Sequence, residues 1–366
     1  MPLSKKPPSP VATPRRGRGA VSNPAGRFES HSTAAEDDGW WQQHDLPPLH
    51  TEVREERARS LLSRNDSPDL PFDVSINPYR GCEHGCIYCY ARPTHEYLNL
   101  SPGLDFETRL VAKTGISDAL RRELAAPGYR VSPINLGAAT DPYQPLERER
   151  RSTREVLECL WAHRHPLTIV TKNALVLRDL DLLQALASEQ LVRVFVSITT
   201  LDNRLASAME PRASAPHARL RAVAGLATAG VPVGVFVAPV IPALTDHELE
   251  TVMAAAREAG ASSISYTLLR LPHAVKDLFR EWLQAHVPLR AEHVMSVLQQ
   301  MRGGHDNDPR YGTRMRGEGV HSSLLQARFD VARKRLGFAA RGQTPALRCD
   351  LFRRPQDPDQ RQAELF

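Results

Sequence analysis

The chain has 366 residues, is 41% hydrophobic and carries a formal net charge of +5, enough for one large core or two ordinary ones. No apolar run reaches the roughly 20 residues of a membrane span, and the opening MPLSKKPPSP lacks the apolar stretch of a secretory signal. Five cysteines, clustered and odd in number, do not read as a disulfide framework; they suit metal binding in a reducing compartment, so a soluble cytoplasmic protein without a membrane partner is expected.

The charge is unevenly spread. Residues 1–28 hold six Lys/Arg and no acid, residues 301–354 hold twelve Lys/Arg against five Asp/Glu, and residues 29–300 carry −6. Basic ends favour a phosphate-rich partner such as nucleic acid, although solvated charge gives the same pattern. Residues 1–47 are rich in Pro, Gly, Ser and Arg with little apolar periodicity, and read as a disordered basic tail. Trp40 and Trp41 are a pair that could dock on the body. Residues 48–71 read as a lead-in segment.

Six strand-like runs follow: 72–77, 131–139, 166–172, 192–200, 231–241 and 262–271. They are rich in β-branched residues, and several are continuously apolar, as parallel strands buried on both faces should be. Helical patterns lie between them. STRE (152–155) and TDHE (245–248) fit capping boxes, and Gly230 and Gly260 suit the left-handed turn after a helix. The alternation predicts an α/β fold with a parallel sheet, either open and doubly wound or an incomplete barrel. In both, a site belongs at the C-terminal ends of the strands. KDLFREWLQAH, HVMSVLQQM and LLQARFDVARKRLG predict a helical region over 276–340. The Gly- and Arg-rich RGGHDNDPRYGTRMRGEG interrupts it as a surface loop, a cover for the site or a phosphate binder, and 341–366 reads as a flexible tail.

Residues 77–97, NPYRGCEHGCIYCYARPTHEY, follow the first strand and hold Cys82, Cys86 and Cys89 as C-x₃-C-x₂-C. Structural zinc wants four ligands. His84 or His95 could supply a fourth, but the next cysteine is Cys159. A four-iron cluster with three thiolates leaves one iron open to a small molecule. Gly81 and Gly85 suit a tight loop around a cluster, and Tyr88 places an aromatic beside it.

The C-x₃-C-x-aromatic-C pattern, just after the first strand of a β/α series, resembles the radical S-adenosylmethionine (SAM) superfamily over about residues 70–275. The resemblance implies a partial (β/α)₆ barrel over 72–275. It also implies a [4Fe-4S] cluster on the three cysteines and SAM on the open iron. One electron, from a flavodoxin- or ferredoxin-type donor, would cleave SAM to methionine and a 5′-deoxyadenosyl radical that takes hydrogen from substrate. The hard chemistry belongs to the cofactors, and the protein orients them and excludes water.

TDPYQPLE (140–147) and IVTKN (169–173) are similar to the spore photoproduct lyase-like branch of DNA-repair lyases and their uncharacterised relatives. By that resemblance Tyr88 lies near the adenine, and Thr140, Asp141, Lys172 and Ser197 contact SAM. Arg212 is a further candidate, pairing with the SAM carboxylate as a fork. Spore photoproduct lyases carry a cysteine just before the Thr or Ser of this segment, which returns a hydrogen atom to the product. Ala139 stands there in this chain and has no transferable hydrogen, which argues against thymine-dimer repair by that route. Cys159 falls off the apolar face of its helix, Cys349 lies in the basic tail, and Tyr90, Tyr143 or Tyr266 remain as hydrogen-donor candidates. The expected function is a radical SAM enzyme of unknown, lyase-like substrate chemistry. Alternatives are action on nucleic acid, a nucleic-acid-binding protein with a structural metal, or a redox-sensing cluster protein without catalysis.

Overall fold

The six predicted strand runs all form strands, and all six lie parallel in one sheet. A computed structural model describes residues 14–29, 49–340, 343 and 345–356. The strands are β1 (Glu52–Arg57), β2 (Leu62–Arg64), β3 (Val74–Ile76), β4 (Tyr79–Arg80), β5 (Arg109–Thr114), β6 (Ile134–Leu136), β7 (Leu167–Thr171), β8 (Val192–Ser197), β9 (Val233–Val240) and β10 (Ser263–Leu268). The large sheet has the order β10-β9-β8-β7-β6-β3-β2, with β2 antiparallel at its edge. Among the described residues β10 pairs with β9 alone, so the sheet stays open as a partial barrel.

The helices are α1 (Asp105–Thr108), α2 (Ile116–Ala125), α3 (Glu147–Arg150), α4 (Ser152–Ala162), α5 (Leu180–Ser188), α6 (Asn203–Met209), α7 (Pro216–Thr228), α8 (Leu249–Glu258), α9 (Val275–His286), α10 (Pro288–Gln300) and α11 (Gly319–Arg335). One core joins β3 and β6–β9 to α4, α5, α7, α8 and α9. Its largest member, Trp282, is fully buried and donates its indole N–H to the Ala208 carbonyl at 3.0 Å, which docks the C-terminal helices on α6. Among the described residues no helix is long and apolar enough to cross a membrane.

Three expectations need correction. Residues 14–29 are ordered against the body, with Ala20 fully buried, and do not behave as a disordered tail. Their anchors are the N–H groups of Gly19 and Ala20 and polar side chains such as Arg18 and Arg27, which leave no apolar periodicity to read. Trp40, Trp41 and the rest of 1–47 lie outside the described residues. The tail after 341 also docks in part: Arg353 N donates to His163 O at 2.8 Å, and Phe352 packs edge-on to His165 at 5.2 Å. Neither capping box forms. Glu155 accepts from Ser117 N at 2.8 Å, and Glu248 from Leu201 N at 2.7 Å, so both acids serve neighbouring elements. The lead-in contributes β1, which pairs parallel with β5 in a second, three-stranded sheet that the sequence pattern did not reveal.

His165 gives this architecture a pH dependence. It is fully buried. Its Nδ1–H faces the Pro166 carbonyl at 2.9 Å, and Nε2 faces the Tyr129 hydroxyl at 2.6 Å, which satisfies the neutral ring from both sides. Burial lowers its pKa from 6.5 to about 4. The unfolded chain therefore binds a proton that the folded chain refuses, and stability falls as the pH drops from 6.5 towards 4. The loss approaches about 3 kcal/mol. Urea unfolding across this range should show that slope, and His165→Gln should flatten it.

Candidate active site

The cysteine loop leaves β4 at the C-terminal edge of the large sheet. Gly81 and Gly85 take positive φ of 76° and 64°. A Cβ on Gly81 would meet Leu110 at 2.7 Å, and one on Gly85 would meet Glu107 at 2.7 Å. The backbone turns on itself: Cys82 N donates to Phe106 O at 2.9 Å, Cys89 N to Cys86 O at 3.1 Å, and Ile87 N to Met209 O at 3.0 Å. The buried Arg92 guanidinium reaches back to the carbonyls of Cys86 and Gly85 at 2.9 and 3.0 Å.

All five cysteines are free, and Cys82 and Cys86 are buried. Burial comes first in raising all three loop thiols, followed by the Asp141 charge at Cys82 and the Glu210 charge at Cys86. As thiolates the trio needs metal charge beside it. Among the described residues no three His, Cys, Asp or Glu side chains converge as ligands of one metal ion. The two histidines that could complete a zinc site are engaged elsewhere. His84 lies between Asp141, 3.3 Å from Nδ1, and the Asn173 amide, 3.2 Å from Nε2, while His95 Nε2 faces Arg109 O at 2.9 Å. Three thiols on one wrapped loop, with both nearby histidines engaged elsewhere, fit a multi-iron cluster whose irons each take one thiolate and leave one without a protein ligand.

Beside the loop, the ends of β7, β8 and β9 form a charged wall. Glu210, buried just after α6, is its centre. One carboxylate oxygen accepts from Thr199 at 2.8 Å and from the Tyr88 hydroxyl, and lies 3.5 Å from Lys172 Nζ. The other accepts from the buried Arg219, which also donates to Ser197 O at 3.0 Å. Lys172 Nζ donates to Ala238 O at 3.2 Å and sits 5.7 Å above the Tyr88 ring. Burial lowers the Lys172 pKa to about 8. The Ser197 side chain is buried, and among the described residues its hydroxyl bonds to nothing.

Residues 76–256 match the family model described as the radical SAM superfamily. This chain belongs to that superfamily. Two uncharacterized proteins, of Mycobacterium bovis and Mycobacterium tuberculosis, are each 40% identical over 223 residues, which covers 60% of this chain and 66% of theirs. An uncharacterized protein of Methanocaldococcus jannaschii is 30% identical over 173 residues, 47% of this chain and 62% of that one. Among solved structures, a spore photoproduct lyase point mutant matches with a TM-score of 0.55 at 16% identity, covering 81% of this chain and 86% of that one. A spore photoproduct lyase complexed with dinucleoside spore photoproduct matches with a TM-score of 0.54 at 18% identity, covering 78% and 79%. At such identities the likeness is one of fold.

Within this radical SAM domain the candidate residues divide. Tyr88 and Lys172 meet at Glu210, and Ser197 joins them only through its backbone carbonyl, which accepts from Arg219. Thr140 donates to Tyr79 O at 3.4 Å and receives nothing from the wall. Asp141 has its oxygens filled: Thr171 Oγ1 and Tyr143 N reach one at 2.7 and 2.8 Å, and Lys172 N reaches the other at 2.7 Å. Burial opposes its ionisation, but His84 and these donors hold its pKa below the usual carboxylate range. Asp141 ties β6 to β7 and to the cysteine loop, and has no free lone pair directed at a cofactor.

The Arg212 guanidinium pairs with Glu83 at 3.0 Å and reaches Thr51 at 3.3 Å. The three hydrogen-donor candidates occupy different surroundings. Tyr143 is fully buried, with Asp179 and Glu147 as its charged neighbours. Tyr266 donates to Gln326 of α11 at 2.9 Å, on the outer face of β10. Tyr90 alone of the three stands at the mouth, donating to Ala138 O. Cys159 is buried within α4, and burial lifts its thiol to about 11. Sequence reasoning missed Glu210 and Arg219; Thr199 was visible only by its place at the C-terminal end of a strand run. Glu210 lies two residues from Arg212 in MEPRAS, and that acid was the only available signal.

Proposed function

We propose that this chain is a radical SAM enzyme that holds a [4Fe-4S] cluster on Cys82, Cys86 and Cys89 and cleaves SAM reductively. The cluster, given one electron, supplies the bond-breaking chemistry that yields methionine and a 5′-deoxyadenosyl radical for hydrogen abstraction. The single observation that carries this reading is the cysteine loop wrapped against a wall of paired charges. Lys172 and Ser197 stand at the ends of neighbouring strands in that wall, β7 and β8.

The residues' own roles follow. Lys172 and Ser197 bind SAM's polar groups. Glu210 fixes Lys172 by charge and Tyr88 by hydrogen bond, and Arg219 holds the other Glu210 oxygen in an ion pair. The apolar core beneath excludes water, which strengthens each of these pairings. The electron donor is of flavodoxin or ferredoxin type, and the reducing cytoplasm suits five free thiols. A second reading makes the substrate a nucleic acid. The fold likeness to a lyase complexed with a dinucleoside photoproduct supports it.

The test is anaerobic. Cluster-loaded protein, reduced with dithionite and given SAM, is expected to form 5′-deoxyadenosine together with methionine, detected by mass spectrometry. A fully loaded, reducible cluster that forms none, with or without nucleic acid, would point to a sensor or binding protein instead.

A further inference from the structure

Four aromatic side chains among the described residues are exposed by half or more: Phe28 at 55%, Tyr90 at 53%, Tyr97 at 71% and Tyr311 at 58%. They come from three separate chain segments, yet all four belong to one connected band around the barrel mouth. Tyr90 follows the last loop cysteine and bonds to the end of β6. The Arg270 guanidinium, just beyond the end of β10, lies 5.8 Å from its ring. On one side Arg270 reaches Met315, at 3.7 Å, and the adjacent Arg314 stacks on Tyr311 at 4.5 Å. On the other side His273 meets Arg27 at 3.3 Å. Arg27 stacks on Phe28 at 5.3 Å, and Phe28 lies 5.4 Å from Tyr97.

The charge in the band is not balanced. Arg27 pairs with Glu96 at 2.6 Å and Arg314 with Asp69 at 2.6 Å. Arg270 makes no ion pair among the described residues; the nearby Asp69 carboxylate acts on it by charge but is bonded to Arg314. Its Nη1 meets only a thioether sulfur, and its Nε is buried without a hydrogen-bond partner. Burial, and then the charge of Arg314, push its pKa down. A guanidinium held this way is costly until an oxyanion reaches it. Exposed ring faces interleaved with arginine are the arrangement that takes unpaired bases and their phosphates. Stacking accepts any base, and a duplex hides the base faces.

We infer that this band is a binding track for single-stranded nucleic acid, with Arg270 seating a backbone phosphate and Tyr97, Phe28, Tyr90 and Tyr311 offering stacking faces. The inference rests on the reading of the barrel mouth as the place where substrate meets SAM. It deepens the nucleic-acid version of that reading.

The experiment is fluorescence anisotropy of the full, cluster-loaded chain without SAM or reductant. The probes are labelled oligonucleotides of about 12 residues, matched to the reach of one stacking platform: single-stranded DNA, single-stranded RNA and the DNA duplex. At least one single strand should bind roughly tenfold tighter than the duplex, and the preferred strand separates DNA from RNA as the source. Arg270→Gln should weaken that binding roughly tenfold and lower the salt slope by about one. Tyr97→Ala and Phe28→Ala together should weaken it by a similar factor without changing the slope. Both aromatic side chains are surface groups, so this pair tests the track even if Arg270→Gln unfolds. Leu289→Ala, fully exposed on α10, is the control. Equal or tighter binding of duplex, no binding at low salt, or wild-type binding by the variants would overturn the track. None of these results bears on whether SAM is cleaved.

Discussion

Cys86→Ala is expected to fold normally, to lose most of its iron and its charge-transfer absorbance after reconstitution, and to form no 5′-deoxyadenosine above background. The backbone at this position does not depend on the thiol. Arg92 holds the Cys86 carbonyl at 2.9 Å, and Cys89 N donates to the same carbonyl at 3.1 Å. The substitution therefore removes one iron ligand while the loop that presents the other two stays wrapped. The thiol sits beside Glu210, whose charge opposes its ionisation, and Lys172, whose charge favours it. A missing supporting partner commonly costs about 10- to 100-fold; a missing ligand should cost more than about 100-fold in 5′-deoxyadenosine formed. Iron analysis, absorbance and mass spectrometry on matched samples measure this. Cys159→Ala should keep full iron, since Cys159 is enclosed in α4. A Cys86 variant with wild-type iron and product would remove the three-thiol site from the reading.

The cysteine spacing and the six buried strand runs were legible because each is a local pattern. Three thiols within eight residues are visible along the chain, and β-branched runs report burial on both faces directly. The parts that were not legible depend on pairings across the chain. Glu210 meets Tyr88 across 122 residues of sequence. No periodicity marks an acid that will end inside a barrel wall. Arg212 has a donor fork suited to a carboxylate, and the fold brings Glu83 to it from 129 residues earlier in the chain. Tyr266 was ambiguous for another reason. Both faces of β10 carry partly buried residues, so alternation does not tell which side looks into the barrel. The capping acids illustrate the same competition. A glutamate three residues into a helix can fold back on the cap, but Glu155 and Glu248 find neighbouring donors that must otherwise go unpaired.

The segment 14–29 was hidden most completely, and Glu107 is the residue that binds it. Glu107 is fully buried; it accepts from Gly19 N at 2.9 Å and Ala20 N at 2.8 Å, and it is the ion-pair partner of Arg92. Its own carbonyl accepts from Arg18 at 2.9 Å. The strap thus lies on the cysteine loop, close enough that a Cβ on Gly19 would stand 1.8 Å from Gly85 O.

Glu107→Ala would leave the Arg92 guanidinium buried without its counter-charge and two strap N–H groups without an acceptor. A broken buried pair of this kind costs about 3–5 kcal/mol. Part of that loss should appear as motion of the strap and the cysteine loop. In the iron-free protein the variant should melt earlier, and trypsin should cut at the arginines of the strap that wild type protects. In the loaded protein, iron should be released faster on exposure to air. Gly19→Ala separates the two effects, because it keeps the Arg92–Glu107 pair and only lifts the strap from Gly85. It should speed iron release with a smaller change in melting. If both variants keep iron as wild type does, the strap covers the loop without protecting what the loop holds. If Glu107→Ala alone loses iron faster, the protection comes from Arg92 gripping the loop carbonyls rather than from the strap.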